Sequence, residues 1–165
     1  YWKNKSEIPI YGSRNTINSL KKSYKFCFKK KDGYKPIMKA NIIKNNFHIK
    51  KANSKLSIKS FEVNHGQIKA TGYVMEQIAY LSDCNSVPLY NLKYLKNLNY
   101  LIVDCLKFEK HPSHFNLESA LDLINLTKPK KAILTNLHTD LDYFKLKKFL
   151  PRNIIPAFDG MSFSF

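Results

Sequence analysis

Arginine is scarce in this sequence of 165 residues, although the chain is strongly basic. Arg14 and Arg152 are the only arginines among 28 basic residues, and the formal net charge is +16. Proteins that read nucleic-acid bases favour arginine for bidentate contacts. The positive charge is therefore better explained by a composition bias towards lysine than by recognition of nucleic-acid bases. We still expect the lysines to help attract a phosphorylated substrate.

Cysteine is also scarce, and no two cysteines form a Cys-x-x-Cys pair. Cys27, Cys84 and Cys105 are an odd number and are widely spaced. This pattern argues against a disulfide framework and favours reduced thiols in a cytoplasmic protein. The sequence lacks an apolar run of 18 residues and a secretory signal, so we expect no membrane partner.

What the sequence contains is typical of one globular α/β domain over residues 1–165. A short strand and an amphipathic helix between Ile8 and Tyr24 indicate an α/β unit already in progress, so we expect the chain to begin inside a domain. The pattern further predicts a helix after Pro88, a helix capped by Asn116, and a terminal hairpin from Ile154 to Phe165. Alternating and continuously apolar strands with helices between them favour a layered sandwich.

Three polar side chains each lie just past the C-terminal end of a predicted strand. They are His65, Asp83 and His138. Such strand ends commonly form one functional edge of a layered sheet. Imidazole and carboxylate are ligands of hydrolytic zinc sites, and a carboxylate can bridge two cations. We therefore expect these three side chains to converge on a metal centre.

Five motifs follow one another along the chain: FEVNHG, YLSDCN, HPSHFNLESAL, LTNLHTDLDY and PAFDGM. In this order they resemble the metallo-β-lactamase-fold hydrolases, most closely the branch of the phosphoribosyl cyclic phosphate phosphodiesterases. The resemblance implies an αββα sandwich with two divalent metal ions, zinc or manganese. It implies that His65, Asp83 and His138 are metal ligands and that Asp83 bridges the metals. It also implies that His114 is the general acid or a binder of the scissile phosphate, and we expect His111 to contact the substrate.

Two departures from the family pattern affect the metal ligands. The defining His-x-His-x-Asp-His motif is absent, and it normally precedes the region that this chain matches. We therefore expect the sandwich to be incomplete at its N-terminus. Many relatives also carry a Thr-His pair where this chain has Thr135 and Asn136, which leaves His138 as the sole histidine of that loop.

The leading functional hypothesis is a metal-dependent hydrolase that acts on a phosphodiester, such as a small cyclic phosphate, by attack of metal-bound hydroxide. An RNA-processing nuclease of the same fold is the second hypothesis. The third is a truncated, metal-free remnant that acts only by association. Because a half-sandwich exposes apolar surface, we expect a homodimer.

Overall fold

The protein is described here by a computed structural model, which covers residues 6–30, 33–51 and 54–164. The chain divides into two compact units, Tyr1–Phe47 and His48–Phe165. The prediction of a single domain over residues 1–165 stays a prediction. Across the described residues, no helix is long and apolar enough to cross a membrane.

The first unit contains a two-stranded parallel sheet and two helices. Strand β1 (Ile8–Gly12) pairs with β2 (Met38–Ile42), and α1 (Arg14–Ser23) and α2 (Lys25–Phe28) lie between them in the chain. Helix α1 begins at Ser13, whose hydroxyl accepts a hydrogen bond from the Thr16 N–H at 3.2 Å. Ile17 is fully buried on its apolar face. The predicted strand and amphipathic helix are confirmed.

The second unit is built around a sheet in which seven strands follow one another in chain order. Its strands are β3 (Asn46–Lys51), which contains the boundary between the units, β4 (Ser54–His65), β5 (Ile68–Met75), β6 (Ile78–Leu81), β7 (Tyr100–Asp104), β8 (Lys131–Thr135) and β9 (Ile154–Pro156). Strand β5 is antiparallel to both β4 and β6, and β6 to β9 are parallel. The C-terminal ends of β4, β6, β7 and β8 therefore lie at the same edge.

The core of this unit lies between the sheet and α3 (Leu117–Thr127). Leu101, Val103 and Leu134 are fully buried on the central strands, and a further helix, α4 (Tyr143–Phe149), follows β8. Helix α3 begins with a reciprocal capping box, in which Asn116 Oδ1 accepts from the Ser119 N–H and Ser119 Oγ accepts from the Asn116 N–H. The predicted cap and the mixed α/β class are confirmed.

The predicted helix after Pro88 is present as a 3₁₀ helix (Leu89–Leu95). The Asn91 side chain donates to the Glu62 carbonyl at 2.8 Å and holds this segment against β4. One predicted element is wrong. The terminal hairpin does not form across residues 154–164, and its last residue, Phe165, lies outside the described residues. Strand β9 pairs in parallel with β8 instead. The tail then packs by its side chains, with the Phe163 ring stacked on Tyr100 at 4.5 Å between centroids.

Candidate metal centre

His65 ends β4 at the edge where the strand ends meet. Its Nδ1 lies 2.7 Å from the Ser113 carbonyl oxygen. A carbonyl can only accept, so Nδ1 carries the proton and Nε2 presents a free lone pair. Metal-bound histidines almost always have their other ring nitrogen anchored in this way. His65 is therefore in the tautomer that a metal ligand requires.

Asp83 follows β6 and is exposed at the same edge. The Ser82 hydroxyl donates to Asp83 Oδ2 at 3.0 Å. One ligand atom each from His65, Asp83 and His114 lie within 4.8 Å of one another. Imidazole and carboxylate are ligand types that zinc accepts.

His114 is held by a buried carboxylate at the end of β7. Its Nδ1 donates to Asp104 Oδ2 at 2.7 Å, and Asp104 is fully buried while the His114 side chain is 17% exposed. Asp104 Oδ2 also accepts the Cys84 N–H at 3.1 Å, and Asp104 Oδ1 accepts the Asn136 side-chain amide at 3.1 Å. Burial raises the pKa of the Asp104 carboxyl, and these three donors oppose that rise.

His111 lies beside His114, with the ring centroids 5.1 Å apart. Its Nδ1 accepts a hydrogen bond from the Ser113 N–H at 3.3 Å. Because Nδ1 is an acceptor, neutral His111 carries its proton on Nε2. The imidazole can then offer an N–H to an anionic group that approaches the centre.

His138 is not part of the group formed by His65, Asp83 and His114 among the described residues. Its backbone N–H donates to the Leu106 carbonyl at 2.8 Å, which ties the loop to the end of β7. Its side chain is 53% exposed and pairs with Asp140, with Nδ1 3.1 Å from Oδ2. We expected His138 to lie beside His65 and Asp83. Among the described residues, His114 lies beside them instead. The assignment of His138 as a metal ligand stays a prediction.

The Beta-lactamase superfamily domain model matches residues 3–136 of this sequence. The chain belongs to this superfamily. The predicted resemblance is confirmed, since a diphosphatase from the PhnP family has 25% sequence identity and a TM-score of 0.82 over 94% of this chain and 57% of its own. Zn²⁺-bound PqqB from Methylobacterium extorquens has 13% identity and a TM-score of 0.74 over 99% of this chain and 67% of its own. This second likeness shows the fold alone.

A curated relative, the octanoyltransferase of Porphyromonas gingivalis (strain ATCC BAA-308 / W83), is 26% identical over 160 residues. The alignment covers 94% of this chain but 32% of that protein. The chain thus spans about a third of this relative and 57% of the diphosphatase. Members of the β-lactamase superfamily are generally hydrolases, and the fold typically binds divalent metals.

The region that matches the family model contains His65, Asp83, His111 and His114, and it ends two residues before His138. Asp104 and Asn136 were missed as site residues. Asp104 contacts His114 directly. Asn136 adopts a left-handed backbone with φ of 62°, which directs its amide to Asp104. A polar residue at a strand end was the only sequence signal for either.

The two cysteines at this edge are part of the hydrophobic core. Cys84 and Cys105 are fully buried. Burial raises the pKa of the Cys105 thiol to about 12, and the nearby Asp104 charge contributes to this rise. Burial likewise raises the pKa of Cys84. Both side chains belong to the buried core and lie outside the group formed by His65, Asp83 and His114, so they pack as small apolar groups.

Gly66 allows the turn after His65 to pack against the segment that carries His111 and His114. Its φ is +63°, and an added Cβ would lie 3.1 Å from Ser113 Cβ. We expect Gly66→Ala to lower the free energy of unfolding by about 1–2 kcal/mol from backbone strain. We also expect it to reduce hydrolysis by displacing Ser113, which anchors His65. Urea unfolding and steady-state kinetics measure the two effects.

Gly160→Ala is the matched control for this substitution. Gly160 has φ of +83°, but an added Cβ there meets nothing within 4 Å. It should show a similar strain cost with unchanged kinetics. Equal kinetics for the two variants would contradict a positioning role for the turn.

Proposed function

We propose that this chain is the C-terminal portion of a metal-dependent hydrolase of the metallo-β-lactamase fold that acts on a phosphodiester, such as a small cyclic phosphate. The observation that carries the proposal is the group of His65, Asp83 and His114 at the sheet edge, with both imidazoles anchored through Nδ1. The 25% identity to a diphosphatase of the PhnP family supports phosphorus chemistry. Residues 1–165 are proposed to form one domain.

In this proposal, His65, Asp83 and His138 hold two divalent cations, zinc or manganese, together with ligands from residues outside this sequence. When bound, such cations neutralise phosphate charge and lower the pKa of bound water. Asp83 is proposed as the shared ligand because its exposed carboxylate has two oxygens to offer. His65 keeps Nε2 free for a cation because Ser113 holds its Nδ1 proton.

His114 is proposed to give a proton to the leaving oxygen. Asp104 fixes the proton on Nδ1, so Nε2 is the nitrogen left to exchange a proton with the substrate. The negative charge of Asp104 compensates the positive charge of a doubly protonated imidazole. His111 is proposed to donate its Nε2–H to a phosphate oxygen, since its Nδ1 accepts the Ser113 N–H.

Metal analysis of the intact protein tests this function. We expect bound zinc or manganese by elemental analysis and hydrolysis of bis-(p-nitrophenyl) phosphate that EDTA abolishes and added metal restores. A protein that binds neither metal, and that gains no hydrolysis when metal is added, would favour the remnant that acts by association. The cytoplasmic location, the homodimer and the small phosphorylated substrate stay predictions.

The leaving group tests the role of His114. A nitrophenolate departs without a proton, whereas an alkoxide needs one. We therefore expect His114→Ala to retain bound metal and to lose about 10²–10⁴-fold in rate on an alkyl phosphodiester. Its loss on the nitrophenyl ester should be much smaller. Equal losses on both esters, together with lost metal, would make His114 a ligand instead of an acid.

A further inference from the structure

Helix α4 presents lysines and phenylalanines to solvent together. Leu146 is the one buried residue of this helix. Phe144 is 72% exposed and Phe149 is 75% exposed. Phe158, 55% exposed, joins them through the Tyr143 ring, whose centroid lies 5.9 Å away. We call this the basic aromatic surface, and its members are Phe144, Lys145, Lys147, Lys148, Phe149 and Phe158.

The order of these side chains around the helix separates this surface from a membrane-binding helix. At about 100° per residue, the exposed arc runs through Lys147, Phe144, Lys148, Lys145 and Phe149. Lys147 and Lys148 therefore lie on either side of Phe144, and Lys148 and Lys145 separate Phe144 from Phe149. A helix that lies in a membrane interface instead gathers its aromatic residues on one side and its lysines on the other.

Helix α4 itself carries three lysines and no carboxylate, which disfavours a second copy of this chain as its occupant. Residues 142–153 carry four cationic side chains, Lys145, Lys147, Lys148 and Arg152, against one carboxylate, Asp142. That carboxylate caps the helix by accepting the Lys145 N–H at 2.8 Å. Two copies placed face to face here would bring like charges together, whereas a polyanion would be attracted.

We propose that the basic aromatic surface binds single-stranded nucleic acid. Lysines contact the phosphates, and the phenylalanine rings stack on unpaired bases, which are the two interactions that sequence-tolerant single-strand binders combine. Duplexes hide their base faces, so they should bind less well. Helix α4 begins five residues after His138, and the Leu141 N–H donates to the His138 carbonyl at 2.9 Å. A bound strand would thus pass the loop that carries His138.

Fluorescence anisotropy with a labelled single-stranded RNA of about 12 nucleotides tests the proposal on the intact protein in EDTA. Binding in EDTA is independent of the proposed hydrolysis, so either can fail alone. We expect Phe144→Ser with Phe149→Ser to weaken binding about 30-fold, from two lost stacking contacts. We expect the triple variant Lys145→Gln, Lys147→Gln, Lys148→Gln to reduce the magnitude of the slope of log K against log salt concentration by about 2.

Matched controls come from the first unit, which carries exposed residues of the same types. Lys21, Lys22 and Lys25→Gln removes the same charge. Phe26→Ser with Tyr34→Ser removes two aromatic rings that are 67% and 80% exposed. Both control variants should bind RNA as the unsubstituted protein does, and circular dichroism verifies that all the variants are folded.

Several results would overturn the proposal. One is the absence of RNA binding by the unsubstituted protein, and another is equal weakening by the control lysines, which would indicate diffuse attraction. A third is binding to phosphatidylserine vesicles that is tighter than binding to RNA and is abolished by Phe144→Ser with Phe149→Ser. This result would make the surface a membrane contact. Self-association lost with the same pair, measured by light scattering, would make it a dimer interface.

Discussion

Asp83→Asn is expected to remove bound metal and to lower kcat/KM on bis-(p-nitrophenyl) phosphate by at least about 100-fold. Replacing a hydrogen-bond partner of a metal ligand typically costs about 10–100-fold, and loss of a ligand itself should cost more. Asparagine keeps the shape of Asp83 but has no negative charge and one acceptor oxygen instead of two. An exposed side chain contributes little to the core, so folding should be unaffected.

Asp122→Asn is the control for this experiment. Asp122 is an aspartate on α3 that lies outside the group that contains Asp83. Its substitution removes the same charge from the same unit and should leave metal content and rate unchanged. Undiminished metal in Asp83→Asn would remove Asp83 from the proposed centre and leave the His65 tautomer as its remaining support.

The edge that holds this group could be predicted because strand direction controls it. Strands β6 and β7 read as apolar runs, and Asp83 and Asp104 lie just beyond or at their ends. Parallel strands bring such residues to the same edge whatever the loops do. His65 reaches the same edge because β4 runs in the same direction as β6 through two antiparallel pairings.

The partners within this edge could not be predicted, because loops decide them. His114 reaches Asp104 from ten residues away through the loop that also supplies Ser113 to His65. His138 instead bonds to Asp140, two residues later in its own loop. Strand periodicity carries no information about which way such loops fold back. The terminal hairpin failed for a related reason, since side-chain packing of Phe163 on Tyr100 replaced backbone pairing.

One side chain links the turn after His65 to the segment that carries His111 and His114. Asn85 donates to the Pro112 carbonyl at 2.8 Å, and its Oδ1 accepts the Gly66 N–H at 3.4 Å. The same amide therefore bonds to the turn after His65 and to the segment before His114. Such a clamp fixes the separation of two imidazoles that belong to distant parts of the chain.

Asp104→Asn is expected to lower kcat strongly while the protein stays folded. Asp104 accepts from three donors, His114 Nδ1, the Cys84 N–H and the Asn136 amide. An asparagine can keep two of them on its oxygen, but its NH₂ group then faces the NH₂ group of Asn136 in the present orientation of that amide. One unpaired buried donor costs about 1–3 kcal/mol of stability. In catalytic triads the equivalent change, which leaves the geometry intact, lowers kcat about 10⁴-fold.

A second substitution separates the charge of Asp104 from its structural role. Asn136→Gly removes the amide that would clash with the NH₂ group introduced by Asp104→Asn, and glycine accepts the left-handed backbone at φ of 62° without strain. The double variant should therefore recover much of the lost free energy of unfolding in urea. It should not recover kcat, because no negative charge remains to compensate a protonated His114. If stability and kcat recover together, Asp104 supports the fold of this edge and does not position the proton on His114. The pH profile of kcat provides the independent readout, since a purely structural loss would lower the rate equally at every pH.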